Sequence, residues 1–127
     1  MAKEKFHIEY VLNNCSAAVL WDAISSAEGL AKWFADEVSV SGKTYSFSWN
    51  KTSADAELVL YRNGQYVRFH WEDDDFEKSY FEFRISIDIL TNDVTLTITD
   101  FCEPDEKTDA ISLWQKQIED LKRCIGV

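Results

Sequence analysis

The sequence predicts an α+β fold in which a curved antiparallel sheet wraps around a long C-terminal helix, in the order β-α-α-β-β-β-β-β-β-α. Three observations carry this prediction. Residues 38–102 alternate apolar and polar side chains in short stretches separated by turn residues. Ala110, Ile111, Trp114, Ile118, Leu121 and Ile125 recur at three- and four-residue steps, the apolar stripe of a helix. Eight Phe, five Tyr and five Trp in 127 residues supply enough apolar surface to offset the entropy of ordering the chain. With one Pro and four Gly, collagen and low-complexity chains are excluded. No repeat or linker interrupts residues 1–127, which read as one domain.

Each element has a local cause. Phe6, Ile8, Tyr10 and Leu12 alternate with His7, Glu9 and Val11, giving a strand with one core face. Asn13-Asn14-Cys15-Ser16 is a helix-start signal with Ser16 as N-cap, and Val19, Leu20, Ala23 and Ile24 follow at helical spacing. Ser25 and Glu28 have the spacing of a capping box for a second helix, which carries Leu30, Trp33 and Phe34 and ends near Ala35.

Three hairpins follow. A loop at Gly42-Lys43 pairs Val40 with Tyr45 and Val38 with Phe47. Asn63-Gly64 suits a type I′ turn and pairs Leu60 with Val67, Leu58 with Phe69, and Ala56 with Trp71. On the reverse face the same register sets Glu57 against His70 and Val59 against Arg68. Leu90-Thr91-Asn92-Asp93 closes the third hairpin, pairing Ile87 with Leu96, Ile85 with Ile98, and Phe83 with Asp100. A one-residue slip would break the match of apolar sets in each of them. Pro104 ends the last strand. Asp105 and Glu106 favour a helix start, Lys122 and Arg123 its end, and Gly126 its stop.

Charge and cysteines exclude several functions. Thirteen Lys and Arg stand against 23 Asp and Glu, a net charge of -10. Phosphate backbones and acidic membrane surfaces are repelled, so no nucleic-acid partner and no membrane insertion are expected. No apolar run approaches the ~20 residues that span a bilayer. The start Met1-Ala2-Lys3-Glu4-Lys5 has no apolar signal region, which points to a cytoplasmic protein. Cys15, Cys102 and Cys124 have no metal-ligand spacing and read as small hydrophobes in a reducing compartment. Two unclustered His give no metal site, and no nucleotide or hydrolase motif occurs, so no cofactor and no metal are expected.

The inward aromatic set is the main candidate constellation. Tyr45, Phe47, Trp49, Phe69, Trp71, Phe81 and Phe83 share one sheet face, with Trp114 opposite on the last helix. They form either a pocket wall for an apolar ligand or a filled core. Asp100 is the one acid in that row. It orients a ligand, acts as a general acid or base, or accepts from backbone donors or a Trp N–H at the strand end. His70 reads as a surface ion pair with Glu57. The run Glu72-Asp73-Asp74-Asp75-Phe76-Glu77 reads as a solvated loop, because it lacks the Gly and the ligand alternation of a calcium loop.

The element order resembles the helix-grip fold of the START-like (SRPBCC) superfamily over almost the whole chain. Val19-Leu20-Trp21-Asp22-Ala23 is similar, with one inserted residue, to a V-W-D-A motif in the branch named for activators of the heat-shock-protein-ninety ATPase. Leu30 with Trp33-Phe34, Phe69-His70-Trp71 and Trp114 match further positions of that branch. Leu90-Thr91-Asn92-Asp93-Val94, Thr99-Asp100-Phe101, Leu113-Trp114 and Leu121-Lys122 resemble a bacterial START-like group. The resemblance implies a cavity between sheet and last helix, used across the superfamily for apolar molecules.

The first functional reading is therefore a domain binding a small apolar or lipid-like molecule. Its ligand-binding residues would be Trp33, Phe47, Trp49, Phe69, Trp71, Phe83, Asp100, Trp114 and Ile118. The second is a protein-interaction or chaperone-cofactor-like module, homodimeric or with a protein partner. The third is an enzyme of unknown reaction, for which only Asp100 offers chemistry.

Overall fold

Alternation in the strands and a 3.6-residue period in the helices build two layers that share one apolar interface. The computed structural model describes residues 3–127. The elements are β1 (Glu4–Leu12), α1 (Ala17–Ser25), α2 (Ala27–Trp33), β2 (Glu37–Ser41), β3 (Thr44–Trp49), β4 (Thr52–Arg62), β5 (Tyr66–Trp71), β6 (Phe81–Ile87), β7 (Val94–Cys102), a 3-10 turn (Pro104–Glu106) and α3 (Lys107–Ile125). Among the described residues the strands form one sheet of order β1-β7-β6-β5-β4-β3-β2, every neighbouring pair antiparallel. β1 is an edge strand and pairs with β7, the last strand in chain order.

The inner face buries Phe47, Val67, Phe69, Phe81, Phe83, Leu96 and Ile98 almost completely. Helix α3 covers it with Trp114, Ile118 and Leu121, and α1 and α2 add Leu20, Ile24, Leu30, Trp33 and Phe34. The rings lie edge to face or stacked, as in Phe34–Phe47 at 5.0 Å and Trp71–Phe81 at 4.8 Å between centroids.

Helix starts and stops follow side-chain chemistry, with one correction. Ser16 caps α1, its Oγ accepting from the Val19 N–H at 3.4 Å. The cap of α2 is Ser26, whose Oγ accepts from the Gly29 N–H at 2.9 Å, and not Ser25. Ser25 is the last residue of α1 and donates its hydroxyl to the Trp21 carbonyl at 2.6 Å, so it is committed to its own helix. The two helices meet at Gly29, where an added Cβ would stand 2.1 Å from the Asp22 carbonyl oxygen. No larger residue fits that crossing without moving backbone. Gly126 ends α3 in the left-handed region at φ 79°.

The first hairpin has the expected register, Val40 opposite Tyr45 and Val38 opposite Phe47. The second is right at its base and shifted at its tip. Ala56–Trp71, Glu57–His70 and Leu58–Phe69 pair as expected, but a bulge at Val59 sets Leu60 against Arg68 and Tyr61 against Val67. The cause is the turn. Asn63 does not take positive φ, Gly64 does at 78°, and the Gln65 N–H donates to the Arg62 carbonyl, so three residues loop where type I′ would use two. The bulge absorbs the extra residue. It exposes Leu60 and brings Tyr61 to the Trp21 ring of α1, 5.7 Å away.

The third hairpin is shifted by two. Ile87 faces Val94, Ile85 faces Leu96 and Phe83 faces Ile98, which keeps every face assignment but moves Asp100 away from Phe83 to lie opposite Phe6. The connection is longer than a tight turn because the Asp88 carboxylate accepts from the Leu90 N–H at 2.8 Å and the Thr91 N–H at 3.2 Å.

The outer face is polar, and its centre is Glu82, 4% exposed. The Arg68 guanidinium lies 2.9 Å and that of Arg84 3.2 Å from its two oxygens. Arg68 also covers the Tyr80 ring and Arg84 the Tyr66 ring, at 4.0 and 4.2 Å. His70 faces Glu57 across the ladder, but its Nδ1 lies 2.8 Å from the Ser79 carbonyl, so it donates there in place of the expected ion pair.

Candidate functional site

Where α3 leaves the sheet, the layers part and leave a cleft of about 440 Å³. It is lined by Phe34, Trp49, Trp71, Asp100, Ala110, Leu113, Trp114 and Gln117. Strands β3, β5 and β7 and the end of α2 supply one residue each, and α3 supplies the other wall. Ala110, Leu113, Trp114 and Gln117 lie three or four residues apart and so share one helix face.

Two of the indoles are fixed. Trp49 Nε1 donates to the Phe34 carbonyl at 2.8 Å, and the Gln117 amide reaches the same oxygen at 3.5 Å. Phe34 is the C-cap of α2, so its carbonyl joins α2, β3 and α3. Trp114 Nε1 donates to Asp100 Oδ2 at 2.9 Å, and Asp100 Oδ1 accepts from the Phe101 N–H at 2.7 Å. Burial pushes the Asp100 pKa above the usual carboxylate range, against the opposing hydrogen bonds from Trp114 and the Phe101 N–H. Both carboxylate oxygens have donors, so its chemistry here is to hold Trp114 at the mouth of the cleft.

The expected site residues divide. Trp49, Trp71, Asp100 and Trp114 come together on the cleft wall. Trp33, Phe47, Phe69, Phe83 and Ile118 lie behind them in the packed core. Trp33 Nε1 donates to the Ala23 carbonyl at 2.7 Å, which ties α2 to α1. Ala110, Leu113 and Gln117 are further lining residues, and their helical spacing to Trp114 was the available signal. Phe34 was expected on the apolar side of its helix and also reaches the cleft.

The acidic run after β5 is a built loop. Asp74 accepts from Ser79 Oγ at 2.6 Å, Lys3 Nζ at 2.9 Å and the Phe76 N–H at 3.0 Å. Burial alone would raise its pKa, but the hydrogen bonds from Ser79, Lys3 and Phe76 and the Lys3 charge outweigh it and hold the group at about 2. Lys3 thereby pins the start of β1 to this loop, beside the cleft wall at Trp71.

A long helix laid on a curved antiparallel sheet, with a cleft between them, defines a helix-grip protein. The chain belongs to the START-like superfamily, whose domain matches residues 1–127. A Bacteroides fragilis protein solved by solution NMR is 46% identical, with a TM-score of 0.71 over 98% of this chain and 92% of its own. The Aha1 dimer from Colwellia psychrerythraea is 16% identical and superposes at a TM-score of 0.80 over 96% of both chains. DynU16, from the dynemicin biosynthetic locus, is 16% identical with a TM-score of 0.76 over 94% of this chain, which spans 46% of that longer protein. The last two likenesses concern the fold. No curated protein matches the chain. No helix among the described residues is long and apolar enough to cross a membrane.

Proposed function

We propose that this chain binds a small apolar molecule in the cleft between the sheet and α3. The carrying observation is the cleft itself, about 440 Å³ and walled by three tryptophans with Phe34, Leu113 and Ala110. That volume is within the ~300–1,000 Å³ of small-molecule sites. Each Å² of apolar ligand surface removed from water there contributes about 25 cal/mol. The indole faces favour a flat or chain-like hydrocarbon over a polar solute.

Native mass spectrometry of freshly purified protein, with tryptophan-fluorescence titration by apolar probes, tests the reading. A retained mass or saturable quenching, lost in an Ala110→Phe variant that fills the cleft, supports it. An apo mass with no saturable response to any probe rejects it.

A second reading, an interaction module that pairs with a second copy or a protein partner, has one observation of its own. Ile89 and Leu90 are 93% and 94% exposed at the β6–β7 tip, held out by the Asp88 carboxylate. The dimeric state of the Colwellia Aha1 relative supports asking the question. Light scattering on a sizing column decides it: a dimer that an Ile89→Ser/Leu90→Ser variant dissociates favours this reading, and a monomer at all concentrations argues against self-association.

A further inference from the structure

The sheet has two edges, β1 and β2, and the sequence guards them unequally. β1 carries Glu4, Lys5 and Glu9 along its length, charges that discourage the addition of another strand. β2 has one charge, Glu37, no Pro, and is exposed at every residue except the half-buried Val38. Gly42, at φ 62°, opens a two-residue turn that closes on the Ser41–Thr44 pair. Alternation then gives Ser41 and Ser39 the hydrogen bonds to β3 and turns the N–H and C=O groups of Val38 and Val40 to the open edge.

The strand Glu37-Val38-Ser39-Val40-Ser41 is complementary to itself. Run antiparallel to a second copy about Ser39, it sets each Val38 opposite a Val40, the two residues whose backbone groups face outward. The valines extend the inner apolar face beyond Phe47 and Tyr45 and cover Val40, which is 44% exposed. The register also keeps like charges apart. Each Glu37 stands opposite a Ser41, about 13 Å along the strand from the other Glu37. It lies two residues from Lys43 of the second copy, and Lys43 has no carboxylate within salt-bridge distance in its own chain among the described residues. The helices leave room for the pairing. The α1–α2 segment lies over β3, where Phe34 packs on Phe47 at 5.0 Å and the Tyr45 hydroxyl donates to the Ser25 carbonyl at 3.3 Å. Across the seam the two β3 strands stand three strand spacings apart, about 14 Å, wider than the about 8–10 Å between packed helices.

We infer that β2 is a docking edge for a second copy of this chain, which joins the two seven-stranded sheets into one antiparallel sheet about a two-fold axis at Ser39. This gives the interaction reading above a surface of its own, and it depends neither on the cleft nor on the β6–β7 tip. A seam five residues long is a small interface, so the dimer is weak and concentration-dependent.

The test is sedimentation equilibrium of the full chain together with cysteine cross-linking. A monomer–dimer equilibrium with a dissociation constant of about 10–100 μM is expected. Ser39→Lys sets two ammonium groups face to face on the axis and is expected to weaken the dimer about tenfold. It does so although it lowers the net negative charge, a change that would favour any association limited by overall repulsion. Ser39→Cys places two thiols on Cα atoms about 4.5 Å apart, within disulfide range. Under mild oxidation it is expected to form a covalent dimer well ahead of the native chain and of Ser41→Cys, whose two thiols stand about 13 Å apart. Both controls keep Cys15, Cys102 and Cys124. A monomer up to about 1 mM, a Ser39→Lys dimer as tight as the native one, or equal cross-linking from Ser39→Cys and Ser41→Cys overturns the inference. A dimer that Ile89→Ser/Leu90→Ser dissociates and Ser39→Lys does not also overturns it, and leaves the interaction reading standing at the β6–β7 tip.

Discussion

Asp74 and Asp100 are the same side chain, both drawn partly out of solvent and near enough for the charge of Asp74 to add to the upward push on Asp100. Their acidities move in opposite directions. In both, burial is the largest influence and raises the pKa. Asp74 overcomes it with three donors, one of them the Lys3 ammonium at 2.9 Å. Asp100 has an indole N–H and one backbone N–H, with Lys3 acting only at longer range. Burial therefore does not decide the state of a carboxylate in this fold. A contacting cation and a third donor do.

The comparison can be broken at either end. The largest effect is expected from Asp100→Ala, which strands the Trp114 indole N–H and the Phe101 N–H in a poorly hydrated place. The cost is about 3 kcal/mol in denaturant unfolding. A loss well under 1 kcal/mol would mean that water replaces the carboxylate and that Trp114 is held by packing alone. Asp74→Ala is expected to cost about 2 kcal/mol, with faster amide exchange confined to the β5–β6 loop and the start of β1; loss spread over the whole sheet would contradict a local role.

Acid sharpens the contrast, because the two groups have opposite signs of linkage. The folded pKa of Asp74, about 2, lies below its ordinary 3.8, so its stabilisation is present above 3.8 and is lost as pH falls through 2. Allowing for partial exposure, that is about 1–2 kcal/mol. The folded pKa of Asp100 lies above 3.8, so its relative contribution is greatest below 3.8 and falls as pH rises through the folded value. Melting temperatures against pH should show Asp74→Asn flattening the acid loss and Asp100→Asn steepening it. Curves shifted in the same direction would refute the assignment. The smallest effect is expected from Lys3→Gln, under about 1 kcal/mol because the ammonium is one-third exposed. An NMR titration should nevertheless show the Asp74 pKa rising toward that of Asp100.

The sequence made the layers legible because they rest on period alone. Alternation placed Phe47, Phe69 and Phe83 on the inner face, and the three- and four-residue steps placed Trp114 and Ile118 above them. Register was legible only where turn chemistry was read correctly. The tip of the β4–β5 hairpin and the β6–β7 pairing moved because Gly64 and Asp88 formed longer connections than the tight turns expected. The cap of α2 moved from Ser25 to Ser26 because two helices compete for adjacent serines. Within the aromatic set, alternation reports a side of the sheet and cannot report what lies over it. Trp49 and Trp71 face the cleft whereas Phe47 and Phe69 are sealed, although all four point the same way. Glu82 escaped notice because its partners Arg68 and Arg84 come from two strands whose pairing no turn motif marked.

The Phe34 carbonyl sets a clock on the cleft. It accepts both the Trp49 indole N–H and the Gln117 amide, so one atom latches α2, β3 and α3. Parting α3 from α2 breaks the Gln117 bond and leaves the Trp49 bond between β3 and α2 in place. The Gln117 side-chain amide then meets solvent, so its exchange reports the parting of α3 from α2.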